Sequence, residues 1–209
     1  MLTGKHSHKN GFIDNNHKFD GAQQTFPKLL KAAGYQTAVV GKWHLTSNPT
    51  GFDYWNILVG QGDYYNPFFI DNGVKKQIEG YATNITTDIA LDWLSNKRDK
   101  NKPFCLLLHH KAPHRTWMPD TCDLGIYDNK TFPLPANFYD NYEGRTAAAQ
   151  QEMSIINDMD EVYDLKMADK ENEVRTNSAD LASAGRNMYN RMNPDQKAAW
   201  DKYYDPIIK

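Results

Sequence analysis

YQTAVVGKWH, residues 35–44, is the stretch that decides the fold. Its first part, residues 35–40, is a short apolar run directly after Gly34, which predicts a buried β-strand. The preceding residues 25–33 (TFPKLLKAA) predict a helix with Thr25 as its N-cap and Gly34 as its stop. A helix that leads directly into a buried strand indicates α/β layering.

A second apolar run predicts a second buried strand. Residues 104–110 (FCLLLHH) show almost no alternation of polar and apolar side chains. We therefore expect a central, parallel strand that is covered on both faces. The other segments predict a long loop over residues 46–80 with a hairpin at 68–74, a helix over 81–97, a loop over 111–140, and helices over 145–168, 177–192 and 195–204, the last capped by Asn193 and Pro194.

Composition bounds the class of protein. The chain has 209 residues, 40% hydrophobic and 24% charged, which suits one large globular domain or two small ones. Its net charge of −2 gives no electrostatic footprint for nucleic acid or an anionic membrane. Residues 1–5 show no signal-peptide pattern, and the sequence contains no apolar stretch long enough for a membrane span.

The two cysteines, Cys105 and Cys122, lie in neither a Cys-x-x-Cys pair nor a zinc-binding spacing. Cys105 lies inside the second apolar run, so we interpret it as a small buried hydrophobe. A disulfide between the two cysteines is left open, and two cysteines do not decide the redox compartment.

Lys42 and His44 follow the first predicted strand. If the backbone stays extended there, the two side chains project the same way from the carboxyl end of the strand. That edge is where open α/β sheets bind ligands. An ammonium beside an imidazole suits an anionic group, because both can donate hydrogen bonds to it. The alternative is an ordinary surface turn.

A denser cluster of basic and titratable residues lies at the end of the second predicted strand. Five of the seven residues 109–115 (HHKAPHR) are basic or titratable. The same strand-end geometry predicts that they face Lys42 and His44. A solvated strand end remains the alternative, and a zinc site is a weaker one because the neighbouring Lys111 and Arg115 would oppose a cation.

The loop at residues 60–67 (GQGDYYNP) is rich in aromatic and amide side chains. Aromatic and amide groups suit a surface that faces a sugar. They suit a tight structural turn equally well. Its candidate binding residues are Gln61, Tyr65 and Asn66.

These clusters, in this order, resemble the formylglycine-dependent sulfatases of the alkaline-phosphatase superfamily. Thr3-Gly4-Lys5 is similar to the end of that family's signature, Lys42-Trp43-His44 to its Lys-x-His, and Ala112-Pro113-His114 to its Ala-Pro-His. The resemblance covers most of residues 1–120. The stretches GFDYW (51–55), GQGDYYNP (60–67) and HHKAPHR (109–115) look like the branch of N-acetylglucosamine-6-sulfatases and mucin-desulfating enzymes.

The resemblance implies a mechanism. In the family, formylglycine hydrates to a gem-diol that attacks sulfur, and a calcium ion polarises the sulfate. By carry-over, Lys42 binds a sulfate oxygen, His44 contacts the diol, and His114 faces the leaving ester oxygen. The implied substrate is a glycan carrying 6-sulfated N-acetylglucosamine, and the implied location is the periplasm or the cell exterior. The residues expected to contact the substrate are Lys111, Arg115, Gln61, Tyr65 and Asn66.

The same resemblance predicts an incomplete site. The family's nucleophile segment would precede Met1 with calcium carboxylates farther upstream, and its later metal ligands would follow Lys209. We therefore expect a partial α/β sandwich of the alkaline-phosphatase type, with a mostly parallel sheet flanked by helices and without its first strand and C-terminal portion. Residues 1–140 would form the α/β part and residues 141–209 a helical segment of one catalytic domain.

Three functions follow as hypotheses. The first is a fragment of a glycan sulfatase that is inactive alone. The second is a non-catalytic sulfoglycan-binding protein that kept the anion pocket. The third is a phosphoesterase or phosphonate hydrolase of the same superfamily, because sulfate and phosphate esters share shape.

Overall fold

The structure is a computed structural model that describes residues 1–152, 154–167 and 179–208. The chain forms two compact units, residues 1–115 and residues 116–209. Within the described part of the chain, no helix has both the length and the apolar character needed to cross a lipid bilayer.

A five-stranded mixed sheet organises the first unit, in the order β4-β3-β2-β1-β5. Strand β1, next to the edge strand β5, pairs in parallel with β2 on one side and with β5 on the other. An antiparallel hairpin, β3 and β4, continues the sheet beyond β2. The strands are β1 (Gln36–Gly41), β2 (Tyr54–Leu58), β3 (Phe68–Asp71), β4 (Val74–Gln77) and β5 (Phe104–His109).

Strand β1 is buried on both faces because its apolar side chains alternate between two core clusters. Ala38 and Val40 pack against Trp93, which is 1% exposed, on one face of the sheet. Val39 packs against Ile57 on the other face. The predicted α/β layering and parallel strands are thus confirmed for β1 and its two neighbours, and the hairpin makes the sheet mixed.

Helices flank this sheet where the sequence pattern places them. Helix α2 (Phe26–Ala32) ends before Gly34, whose φ of +89° is left-handed, and leads directly into β1. Helix α3 (Ala82–Asp92) continues into a π-helical turn, Trp93–Lys97, which places Trp93 over the sheet. A single turn, α1 (Ser7–Asn10), lies near the start of the chain. The predicted helices over residues 25–33 and 81–97 are therefore confirmed.

Two sequence predictions for the sheet are wrong. Residues 54–58 were expected in a long loop but form β2, which is almost fully buried. Strand β5 is parallel to β1 as expected, yet it lies at the edge of the sheet, not in its centre. Its side chains are exposed or half-buried, because β5 has a strand partner on one side only among the described residues.

The second unit is helical and contains a 3₁₀ turn at Thr121–Asp123. The continuous helix predicted over residues 145–168 is wrong: two short helices occupy its first part, and an extended Gln151 follows the first of them, while residues 153 and 168 lie outside the described part of the chain. The helix predicted from Asn193 is confirmed, and Asn193 and Gln196 cap it reciprocally at 2.8 and 2.9 Å. The helices are α4 (Thr146–Gln150), α5 (Ile155–Asp158), α6 (Ala179–Asn190) and α7 (Pro194–Ile208). Residues 177 and 178 of the predicted helix 177–192 lie outside the described residues.

Candidate active site

At Gly41 the carboxyl end of β1 lies in close backbone contact with the carboxyl end of β5. Gly41 has a φ of +100°, and a Cβ at this position would lie 1.9 Å from the carbonyl oxygen of His109. The close approach lets the Lys42 amide donate to that oxygen at 2.7 Å, while His109 Nδ1 lies 3.1 Å from the Lys42 carbonyl oxygen. Because a carbonyl only accepts, His109 Nδ1 is the protonated ring nitrogen. This exchange of hydrogen bonds fixes the backbone that carries Lys42.

Lys42 and His44 are half-buried, and the residue between them anchors the segment. The Trp43 indole donates to the Ser47 carbonyl at 2.6 Å, and its ring meets Phe52 edge-on at 5.9 Å between centroids. The backbone is not extended through this segment, since Gly41 and His44 both have positive φ values, +100° and +51°, so the condition under which the two side chains would project the same way is not met.

The electrostatics place the three predicted catalytic residues in one cluster, Lys42, His44 and His114. Burial lowers the pKa of His44 first, and the charges of Lys42 and His114 lower it further. Burial also lowers the pKa of the Lys42 ammonium. Repulsion of this kind indicates that Lys42 and His114 lie within electrostatic range of His44, and an incoming anion would relieve it. The arrangement therefore favours an anionic ligand.

We expect the pKa of His44 to lie below 6.5 and to rise when a sulfated sugar binds, because an anion stabilises the imidazolium. Lys42→Met should also raise it, since one of the repelling charges is removed. An NMR titration of the His44 ring resonances measures both shifts. A His44 pKa that is the same in the wild type and in Lys42→Met would contradict the proposed proximity of these side chains.

The segment after β5 turns back toward the same edge. The His114 amide donates to the Lys111 carbonyl at 3.0 Å, which closes a tight turn over residues 111–114. The His114 imidazole is exposed, and its Nδ1 is hydrogen-bonded to the carbonyl oxygen of Arg115. Since that carbonyl can only accept, Nδ1 carries a proton and Nε2 is the nitrogen left for a ligand. Arg115 itself is half-buried.

Lys111 is buried, with 6% of its surface exposed. Its ammonium donates to the Gln61 carbonyl at 3.2 Å and lies 4.7 Å from the centroid of the Tyr64 ring. Burial, followed by repulsion from Lys42, lowers the pKa of Lys111 to about 8. A substrate contact of Lys111 stays a prediction; in the structure its ammonium contacts the neighbouring loop.

The loop over residues 60–67 packs beside this turn. The side chain of Gln61 is exposed, whereas Tyr65 is buried against Tyr81 with 5.5 Å between ring centroids. Asn66 is buried, and its side chain accepts from the Gly80 amide at 2.8 Å. The sugar contacts predicted for these residues stay predictions, and the geometry gives Tyr65 and Asn66 a structural role in holding the loop.

Sequence reasoning missed Tyr64. Its hydroxyl donates to the His114 carbonyl at 2.6 Å across 50 residues of chain. Burial raises the pKa of this phenol, so it stays a donor at neutral pH. The only sequence signal was the tyrosine pair within an aromatic loop, which does not say which ring faces the basic cluster.

The groups that a sulfatase resemblance implies do not fit the described residues. Within residues 1–152, 154–167 and 179–208, no group of three or more His, Cys, Asp or Glu side chains could hold a metal ion. Both cysteines are free thiols; Cys105 lies in β5, and Cys122 precedes Asp123 rather than a Pro-Ser-Arg segment. Neither calcium nor formylglycine is therefore assigned a site here.

The chain matches the sequence model of the sulfatase family over residues 1–191. It is 52% identical over 208 residues to an N-acetylglucosamine-6-O-sulfatase of Bacteroides thetaiotaomicron, and the match covers 98% of this chain. It is 28% identical over 163 residues to the N-acetylglucosamine-6-sulfatase of Homo sapiens, which covers 66% of this chain and 29% of that protein.

A solved structure described as bound to its substrate D-glucosamine-2-N,6-O-disulfate is also similar to this fold. Its sequence is 52% identical, the TM-score is 0.84, and the match covers 99% of this chain and 42% of that one. The chain spans 36% of the length of the Bacteroides thetaiotaomicron relative. The expected family and the α/β sandwich fold are confirmed by these matches.

Proposed function

The chain belongs to the sulfatase family, and from that premise we propose that the protein it is part of hydrolyses 6-sulfate esters of N-acetylglucosamine in glycans. The observation that carries the proposal is that Lys42 and His44 follow β1 at the point where it meets the end of β5, and that the charges of Lys42 and His114 both act on His44. The relatives named above act on, or are bound to, glucosamine sulfates, which supports the choice of sugar.

The cluster can do three things to a sulfate ester. Lys42 offers a point charge to a sulfate oxygen, and that interaction gains strength from partial burial. His44 is held largely uncharged by burial and by Lys42, so it can accept a proton at neutral pH. His114 can give a proton from Nε2 to the ester oxygen as its bond to sulfur breaks, so the sugar leaves as a neutral alcohol while the sulfuryl group passes, in the net hydrolysis, to water.

The sugar ring would lie over the exposed side chain of Gln61, with Arg115 at the rim of the site. An amide and a guanidinium can both bind hydroxyl, acetamido or sulfate oxygens. We further propose that residues 1–209 bind a sulfated sugar but do not release sulfate by themselves, because neither cysteine lies in a nucleophile motif.

Binding tests the anion cluster directly. We expect the 209-residue chain to bind N-acetylglucosamine 6-sulfate more tightly than N-acetylglucosamine, as measured by calorimetry. Lys42→Met should weaken binding by about tenfold or more, since it removes a charge-assisted hydrogen bond. The matched control is Lys102→Met, because Lys102 is exposed and precedes the opposite end of β5.

The outcomes separate the three hypotheses. Equal affinity of wild type and Lys42→Met would contradict the assignment of the sulfate site. Sulfate release by the full-length protein, lost in His114→Ala, would support a sulfatase. Binding without release by the full-length protein would favour a sulfoglycan-binding role, and release of phosphate but not sulfate would favour a phosphoesterase.

A further inference from the structure

The turn that carries His114, residues 111–114, is fastened to the neighbouring loop at both of its ends. At one end, the Lys111 ammonium donates to the Gln61 carbonyl at 3.2 Å and lies over the Tyr64 ring at 4.7 Å. At the other end, the Tyr64 hydroxyl donates to the His114 carbonyl at 2.6 Å. One tyrosine therefore contacts the first residue of the turn with its ring and the last residue with its hydroxyl.

Tyr64 is itself held firmly. It is 2% exposed, and its ring stacks on Tyr81 with 6.0 Å between centroids and 21° between planes. Its carbonyl accepts from the amide of Ala82, the first residue of α3, at 2.8 Å. A buried side chain with these contacts has little rotamer freedom, so it can transmit the position of α3 and the sheet to the exposed turn.

We propose that Tyr64 is a positioning residue that orients the His114 imidazole toward Lys42 and His44, with Lys111 holding the start of the same turn. The proposal rests on the proposed function, since His114 matters only if this edge binds an ester. It assigns a role to a residue that does not contact the substrate itself, because the Tyr64 side chain is buried beneath the turn.

The physical link runs through the backbone. The His114 carbonyl belongs to the peptide plane between His114 and Arg115, and the Tyr64 hydroxyl fixes that plane. The next carbonyl, that of Arg115, accepts the hydrogen bond from His114 Nδ1. Without the Tyr64 hydroxyl, the plane is free to rotate and the acceptor of Nδ1 moves with it. The imidazole then loses both its orientation and its preference for one tautomer.

The Lys111 ammonium has a complementary task. It is buried next to a carbonyl oxygen and the face of an aromatic ring, both of which attract a cation. A Lys111→Met substitution keeps most of the aliphatic stem and removes both attractions. The turn would then remain tied to the loop only at His114.

The experiment compares Tyr64→Phe with the wild type of the 209-residue chain and of the full-length protein. Long-range ¹⁵N NMR of His114 should show a single Nδ1-protonated tautomer in the wild type and an exchange-averaged mixture in Tyr64→Phe. In the full-length protein, kcat for N-acetylglucosamine 6-sulfate should fall by about tenfold, part of what a general acid contributes, with KM changed by less than about twofold.

Tyr54→Phe is the matched control. Tyr54 is another buried tyrosine with a weakly bonded hydroxyl, and it is the first residue of β2, whereas the loop that carries Tyr64 follows the last residue of that strand. It should leave the His114 signals unchanged. Lys111→Met should shift the His114 signals toward the same exchange-averaged mixture of tautomers as Tyr64→Phe. Unchanged His114 signals in folded Tyr64→Phe would overturn the positioning role. An altered tautomer in a protein that neither binds nor hydrolyses the ester would keep the positioning role and refute the proposed function.

Discussion

Gly41→Ala is expected to lower the free energy of unfolding by about 3 kcal/mol or more, because it combines backbone strain with a steric clash. Gly41 has a φ of +100°, and a methyl group there would lie 1.9 Å from the His109 carbonyl oxygen and 2.9 Å from Thr86 Cγ2. The carbonyl belongs to the neighbouring strand, so it can move away only if β1 and β5 separate. Urea denaturation measures the loss.

Gly34→Ala supplies the control for this substitution. Gly34 has a similar φ of +89°, yet a Cβ there would have no heavy atom within 4 Å. Gly34→Ala should lower the free energy of unfolding only by the cost of the left-handed backbone conformation, about 1–2 kcal/mol. Equal losses at Gly34 and Gly41 would show that the close approach of His109 has no energetic weight.

The Gly41 substitution should also abolish binding of N-acetylglucosamine 6-sulfate by molecules that remain folded. The hydrogen bond from the Lys42 amide to His109 is 2.7 Å long and lies at the site of the clash. Moving that amide moves the ammonium that is proposed to hold the sulfate. Calorimetry without urea, with the protein concentration corrected to the fraction that urea denaturation shows to be folded, separates this effect from simple unfolding.

The sequence predicted strand β1 because a simple pattern encodes it. Residues 38–41 (AVVG) are apolar or small and leave the strand no solvated face, and the basic residues that follow mark its carboxyl end. The same pattern predicted that Lys42 and His44 follow the carboxyl end of this strand, and β1 does end at Gly41. It could not supply the left-handed turn at Gly41, because the closeness of β5 is a tertiary contact between residues far apart in sequence.

Strand β2 was not predicted from the sequence, and the reason is physical. Its residues 54–58 (YWNIL) favour β-structure, but Asn56 interrupts the apolar run, and glycines precede and follow it. In the fold, Asn56 is 2% exposed and its amide lies 3.4 Å from the Tyr54 hydroxyl. Parallel pairing with β1 overrides this polar interruption.

The long helix predicted over residues 145–168 failed because local polar groups compete with the helix backbone. The Ser154 hydroxyl accepts from the Asn157 amide, and the Asp158 carboxylate accepts from the Ser154 amide. Asp160 then caps a further turn by accepting from the Tyr163 amide at 2.7 Å. Side chains of this kind favour caps and turns over helix interiors. The apolar spacing alone did not reveal them.

The edge position of β5 has a consequence for the chain in solution. The carbonyl oxygens of Pro103, just before β5, and of His109 accept from the amides of Gln36 and Lys42 at 2.8 and 2.7 Å. Alternate residues along this segment therefore bond to the β1 segment. The intervening Phe104, Leu106 and Leu108 direct their backbone groups away from β1. Leu108 is 40% exposed and Phe104 is 43% exposed. An unpaired strand edge with apolar side chains is a template for pairing with another chain.

The opposite edge of the sheet is protected in a way that β5 is not. Strand β4 is exposed along its whole length and carries Lys75 and Lys76, and Lys76 pairs with Asp71 at 2.9 Å. Charged side chains on an edge strand repel a second copy of the same edge. Self-association of the 209-residue chain is therefore expected at β5 and not at β4.

Light scattering after size-exclusion chromatography should find the wild-type 209-residue chain largely self-associated at about 10 μM, the range where exposed edges aggregate. Leu108→Lys should shift it to monomer, because it places a charge beside the edge of β5 that has no strand partner among the described residues. Val74→Lys, which adds the same charge to the 68%-exposed Val74 on β4, should leave the self-association unchanged. A monomeric wild type, or equal rescue by both lysines, would show that the β5 edge does not drive association and that net charge alone accounts for the change.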